Sequence, residues 1–249
     1  MRVLICGRLA IEDGAVLVPE SALPGRLGRR LWAYLVLHRR RPVGRSELLD
    51  ALWGDESPEA ADASLNAIVS RVRGALAPIG SEHADVRAAS GTYSLRLAAD
   101  TFVDRERAWT AISHVQALRR GGDVHKAWSE AVIASEIAGR GFLPGEDAPW
   151  IEAERRSLRD FELQALEAIC DAELAQDRAL EAERVARRLI AADSLRESGY
   201  RYLMRALAAS GNAAQAASVM EECRTALGLV AARPSAETER VFREVVAAR

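Results

Sequence analysis

The hydrophobic period of this chain switches abruptly, and the switch limits what its N-terminal part can become. Leu65, Val69, Val72 and Leu76 recur at i, i+4, i+7 and i+11, the spacing that lays four apolar side chains along one face of an α-helix. In "VRAASGTYSLRL" (86–97) the apolar residues alternate instead: Val86 and Ala88, then Tyr93, Leu95 and Leu97, with Ser90-Gly91 between the halves. Alternation about such a dipeptide predicts a β-hairpin. A one-faced helix followed by a one-faced hairpin must bury both faces against something.

The residues upstream supply the rest of a small core. "RVLIC", "RLAI" and "EDGAVLV" read as short strands, the last carrying the turn dipeptide Asp13-Gly14. Helical spacing begins near Leu27 with Leu31, Tyr34 and Leu35. In "HRRRPVGR" (38–45) Pro42 disfavours helix at Arg41, so the first helix ends near 38–40. Ser46 is an N-cap residue type, Glu47 suits a first turn, and Leu48, Leu49, Leu52 and Trp53 form the stripe of a second helix that Gly54 closes. Ser57 and Pro58 read as the cap and first position of the third helix, which runs to about Ala77. The arginine run is therefore a short connection between packed helices. Sheet, three helices and hairpin, in that order, is the layout of a winged helix-turn-helix.

From Asp104 onward the spacing is almost entirely helical. Small polar turns separate the helices: "GGD" (121–123), "AQD" (175–177) and "SGN" (210–212). The last two lie close to the ~34-residue period of tetratricopeptide repeats, while "RGFLPGEDAPW" (140–150) interrupts the spacing like an inserted loop. Leu203, Leu207, Gly211, Ala216 and Met220 repeat that motif's alternation of large and small residues.

Composition narrows the functional classes. With 249 residues, 49% of them hydrophobic and only 5% aromatic, the chain suits closely packed helices. Cys6, Cys170 and Cys223 sit among apolar residues with no C-x-x-C pair, as buried thiols of a reducing compartment do. The N-terminus turns polar too soon for a secretion signal, and no apolar run approaches the ~18 residues of a membrane span. A cytoplasmic protein, nucleoid-associated when on DNA, is expected. His38, His83, His114 and His125 have no metal-ligand spacing, and no phosphate loop, dinucleotide fingerprint or nucleophile elbow is present. Neither an enzyme nor a cofactor or metal site is expected. The net charge is −2, yet residues 21–46 hold seven arginines and no acid, and residues 49–64 hold five acids and no base. A near-neutral chain can still carry a local nucleic-acid patch.

The stretch "ELLDALWGD" followed by "SLNAIVSRVRGAL" resembles the DNA-binding domain of the SARP-type bacterial transcriptional activators, and the match extends over residues 23–76. "RGFLPGEDAPWIEAERRSL" and "RESGYRYLMRALAASGNAAQAASVMEECRTAL" resemble the bacterial transcriptional activator domain that follows it in that family. The resemblance implies a mainly α fold with small β: an OmpR-type winged helix-turn-helix over residues 1–99, then an all-α tetratricopeptide-like domain over residues 100–249. It also implies that the third helix enters DNA, with contacts from Ser64, Ser70, Arg71 and Arg73. Ala63, Ala67 and Gly74 depart from the larger polar residues common there.

The residues themselves leave readings open. With the apolar stripe inward, the outer face of the third helix carries Ala63, Asn66, Ala67, Ser70 and Gly74, flanked by Arg71 and Arg73. Arginine donates to phosphate or, bidentately, to guanine; a plain solvated face is the other reading. Arg41 and Arg45, with Arg39 and Arg40, suit phosphate contact or a solvated charge run, and Arg87 and Thr92 of the hairpin suit phosphate or the minor groove. In the acidic segment the resemblance assigns Asp55, Glu56 and Glu59 to RNA polymerase or its sigma factor, against an ordinary solvated loop. Trp109, Trp128 and Trp150 either line a groove or pack in the core, and core packing is the expectation. A sequence-specific activator that binds promoter direct repeats as a side-by-side pair is the first reading. A protein-interaction adaptor whose winged helix has lost specific DNA reading is the alternative.

Overall fold

A computed structural model describes residues 1–56 and 58–247. In chain order its elements are β1 (Arg2–Leu4), β2 (Ala10–Asp13), β3 (Val16–Pro19), α1 (Gly25–Leu37), β4 (Val43–Gly44), α2 (Arg45–Trp53), α3 (Ala61–Leu76), β5 (Ala84–Ala89), β6 (Thr92–Leu97) and β7 (Phe102–Val103). Then follow α4 (Asp104–Arg120), α5 (Val124–Ala138), α6 (Pro149–Ala175), α7 (Ala179–Ala192), α8 (Glu197–Ala209), α9 (Ala216–Gly228) and α10 (Ala236–Ala247). The chain forms two compact units. The first joins Met1–Arg107 to Arg140–Leu158; the second joins Ala108–Gly139 to the chain from Arg159 onward.

The first unit contains two sheets, ordered β3-β2-β1-β7 and β4-β6-β5. The β5–β6 hairpin pairs Ala89 with Thr92, so Ser90 and Gly91 alone make the turn, at φ 47° and 73°. Two consecutive positive φ values match the right-handed twist of the flanking strands. The α3 stripe is inside as its spacing requires: Leu65, Val69, Val72 and Leu76 are all buried, joined by Ile68. α1 is more enclosed than a one-faced helix. Every residue from Arg30 to Val36 is buried, so α1 is the central strut rather than a surface helix.

The connection after α1 differs from its expected form. Val43 and Gly44 pair with Tyr93 and Thr92 of β6, so the stretch "HRRRPVGR" contains a strand as well as a turn. A two-residue strand has no period to read. Pairing holds Gly44 extended at ψ 152°, which makes Gly44 the cap of α2 and draws Ser46 inside the helix, away from its expected capping place. α3 likewise begins at Ala61 rather than Pro58; the cap expected at Ser57 lies outside the described residues.

The segment 140–150, expected as an inserted loop, is an ordered part of this unit. Phe142 and Leu143 are buried, and Phe142 bridges to Cys6. Glu146 is buried and accepts from Arg30 Nε at 2.8 Å and Arg29 Nη2 at 3.0 Å. Arg30, itself buried, also donates to the carbonyls of Leu52 and Asp147. Trp150 donates its indole N–H to the Ala51 carbonyl at 2.9 Å and stands edge-on to Tyr34.

Among its described residues the second unit contains helices and their connections and no strand. One cluster packs small residues, Ala111, Ala131, Ala134, Ala165 and Ala168, around Ile112, Val115 and Ile169. Alanines let helix backbones approach closely. A second cluster gathers Leu166, Leu189, Leu203, Leu207, Met220 and Val241 with the thiols of Cys170 and Cys223. The polar turns fall where their sequences put them, each with a left-handed residue: Gly122, Asp177 and Gly211. Core packing is overturned for two of the three tryptophans, while Trp150 packs edge-on against Tyr34 and Phe142 in the first unit. Trp109 is 55% exposed, and Trp128 lies at the surface, its N–H bonded to Glu173 at 2.7 Å with the Arg178 guanidinium near its ring. Helix spacing alone does not say how wide the covered face is.

Among the described residues no helix is long and apolar enough to cross a membrane, and no three His, Cys, Asp or Glu side chains are grouped as for a metal ion.

Candidate nucleic-acid interface

The outer face of α3 is open to solvent. Asp62, Ala63, Asn66, Ala67, Ser70, Arg71, Arg73 and Gly74 are exposed, and Ser64 is half-buried. A β-carbon added at Gly74 would meet nothing within 4 Å, so the gap is on the surface and not a packing requirement. The helix therefore presents a low, small-residue strip with a few tall side chains along it.

The arginines of this region are mostly engaged. Arg45 Nε pairs with the Asp62 carboxylate; its Nη2 reaches the Asp62 carbonyl at 3.0 Å and its Nη1 the Tyr93 hydroxyl at 3.1 Å. Arg41 pairs with Glu47 at 2.9 Å, and Tyr34 donates to the same carboxylate at 2.7 Å. The Arg41 guanidinium, with Tyr34 adding to it, holds the Glu47 carboxyl well below its ordinary range, at about 2. Arg39 grips Glu106 at 2.6 and 2.9 Å, and Arg40 joins it at 3.0 Å. Arg87 pairs with Asp85 at 3.0 Å, and the Thr92 hydroxyl donates to the Ala89 carbonyl at 2.8 Å. Arg73 donates to the Val86 carbonyl at 2.7 Å, tying the end of α3 to the hairpin.

Arg71 differs from the others. Among the described residues its one hydrogen bond is to the Ala67 carbonyl one turn back, at 3.4 Å, and no acid pairs with it. Its guanidinium therefore stands available on the exposed face of α3.

The basic and acidic segments are separate in sequence but interleave in space. Arg45 meets Asp62 seventeen positions on, and Arg39 meets Glu106 sixty-seven positions on. Charge counting along the chain missed these partners, and it missed Tyr93, whose place in the alternating β6 pattern marked it only as a core ring. The Arg41–Glu47 and Arg87–Asp85 pairs are exposed, and pairs of that kind contribute little, about 0–1 kcal/mol each, so a phosphate can take the place of either carboxylate at modest cost; Arg39, 20% exposed and bidentate on Glu106, is held more firmly. Asp55, Glu56 and Glu59 remain exposed and, among the described residues, without cationic partners. Asp55 also lines a groove of about 550 Å³, with Tyr34, Glu47, Asp50 and Trp150.

Two family profiles match the chain: "Bacterial transcriptional activator domain" over residues 103–246, and "Transcriptional regulatory protein, C terminal" over residues 25–92. The chain is 34% identical over 220 residues to the regulatory protein AfsR of Streptomyces coelicolor, covering 88% of this chain and 21% of that protein. It is 31% identical over 203 residues to the regulatory protein AfsR of Streptomyces griseus, covering 80% and 20%. It thus spans about a fifth of the length of these curated relatives. Among solved structures it is similar to Mycobacterium tuberculosis EmbR in complex with a low-affinity phosphopeptide, with a TM-score of 0.83 at 22% identity, over 98% of this chain and 64% of that one. That likeness is one of fold.

Proposed function

The chain belongs to the SARP-type family of bacterial transcriptional activators, regulators of transcription and not enzymes, and from that premise we propose that it binds direct repeats in promoter DNA and contacts RNA polymerase there. Arg71 carries the reading: it is the uncommitted guanidinium on the exposed face of α3. Ser64, Ser70 and Arg73 share that helix, and Arg41, Arg87 and Thr92 flank it from the α1–α2 connection and the hairpin. α3 lies in the major groove, and the flanking arginines exchange their carboxylate partners for phosphates, which position the protein without specifying sequence.

In this reading residues 1–99 bear the DNA surface and residues 100–249 the activator surface. Asp55, Glu56 and Glu59, with the aromatic and acidic groove beside them, repel DNA and suit the sigma region of a polymerase. Two copies bind side by side, one on each repeat. The adaptor alternative is favoured by one observation, that Ala63, Ala67 and Gly74 leave little on α3 to read bases with.

The test is selection from random duplex DNA with purified protein at two salt concentrations. An enriched direct repeat, bound more weakly in high salt, supports specific reading. Arg71→Ala then weakens binding by about 1–3 kcal/mol. Absence of binding at low salt overturns the activator reading in favour of the adaptor.

A further inference from the structure

Resting on the DNA-binding reading, we infer that Asn66 is locked as a donor-only reader that selects an acceptor edge in the major groove, guanine first, and that Arg45 and Tyr93 are the positioning residues that lock it.

Asn66 is the one carboxamide on α3, standing exposed between Ala63, Ala67 and Ser70. Its Oδ1 lies 3.2 Å from the Tyr93 hydroxyl and 3.5 Å from Arg45 Nη1. A guanidinium carries only donors. The end of the amide that faces Arg45 must therefore be its oxygen, because the NH2 turned that way would set donor against donor. Arg45 is itself held, by the Asp62 carboxylate and the Asp62 carbonyl. Arg45 also donates to the Tyr93 hydroxyl at 3.1 Å, which leaves the phenolic proton to go to Asn66. Tyr93 is buried and sits in β6 opposite Val43, so its hydroxyl is placed by the sheet.

The consequence follows from lone-pair counting. A carboxamide oxygen has two acceptor sites, and Tyr93 and Arg45 face both. What remains outward is the NH2 group, with two donors. Asparagine reads adenine by donating to N7 while accepting from the N6 amino group; here the acceptor is already used. Guanine offers two acceptors, N7 and O6, and thymine one, O4. Two donors therefore match guanine best and exclude the bidentate adenine contact. The surrounding alanines and Gly74 permit the close approach that a side chain as short as asparagine needs.

The experiment compares the base preferences selected from random duplex DNA by the full wild-type chain, Asn66→Ala, Asn66→Asp and Tyr93→Phe, each checked for wild-type circular dichroism and melting. The expected result is one position where the wild type enriches guanine, where Asn66→Ala loses the preference and the other positions keep theirs. Asn66→Asp, which has only acceptors and leaves the core untouched, moves that position towards cytosine. Tyr93→Phe frees one lone pair and lowers the guanine-over-adenine preference there by about tenfold. Adenine at the Asn66-dependent position, an unchanged guanine preference in Asn66→Asp or Tyr93→Phe, or no position that depends on Asn66 overturns the inference while DNA binding stands. No enriched sequence with the wild type removes the DNA-reading premise, and the inference with it.

Discussion

Removing the Glu146 carboxylate should unfold the first unit far more readily than any surface change. Glu146 and Arg30 have side chains only 3% and 6% exposed and meet at 2.8 Å. Arg29, 31% exposed, adds a second guanidinium at 3.0 Å. Deleting one member of a buried pair leaves an uncompensated buried charge, at a cost of about 3–5 kcal/mol. Arg30 would keep the carbonyls of Leu52 and Asp147 at 3.1 and 2.8 Å, which places Glu146→Ala near the lower end, about 3 kcal/mol. With a urea slope of about 2 kcal/mol/M, the midpoint of the first unit falls by roughly 1.5 M. Glu146→Gln keeps an acceptor and should lose about half as much. Hydrogen exchange resolved by peptide locates the effect, with protection lost in α1 and in residues 140–158. The double variant Arg30→Met, Glu146→Leu should recover most of the loss, since apolar pairs of similar size replace buried ion pairs at little cost. A Glu146→Ala stability within about 0.5 kcal/mol of wild type, or a double variant worse than either single one, would refute the desolvation argument.

Four other outcomes are expected. Because Arg41 holds the Glu47 carboxyl at about 2 rather than near 4.5, its contribution to stability is present above about pH 4.5 and is lost as pH falls towards 2; urea midpoints of wild type and Glu47→Gln should converge over that range, and parallel curves would sink the pairing. Gly91→Ala puts a β-carbon on a residue at φ 73° in open space, so strain alone should cost about 1–2 kcal/mol, read as a lower melting temperature. Trp150→Phe loses the bond to the Ala51 carbonyl and about 1 kcal/mol, while Trp109→Ala, at a 55% exposed site, should stay within about 0.5 kcal/mol of wild type by denaturant titration.

Much of the fold was legible because it is local. The α3 stripe, the Ser90-Gly91 turn and the three polar turns of the helical half are short-range patterns, and each lies where its residues predicted. The places that misled are those where pairing partners decided the outcome. Gly44 caps α2 because β4 pairs with β6, and Trp109 and Trp128 stand at the surface while alanines, isoleucines and a valine fill the buried cluster of their unit.

The candidate site divides in the same way. The chain by itself determined which side chains α3 carries and which face they occupy, since a 3.6-residue period is a property of neighbouring residues. Only the tertiary structure decided which of them are free to act. Arg45 is tied to Asp62 and Tyr93, Arg39 to Glu106 and Arg30 to Glu146, across separations no local pattern spans. Coulombic and hydrogen-bonding partners are chosen by distance in space, and that distance is set only when the core closes.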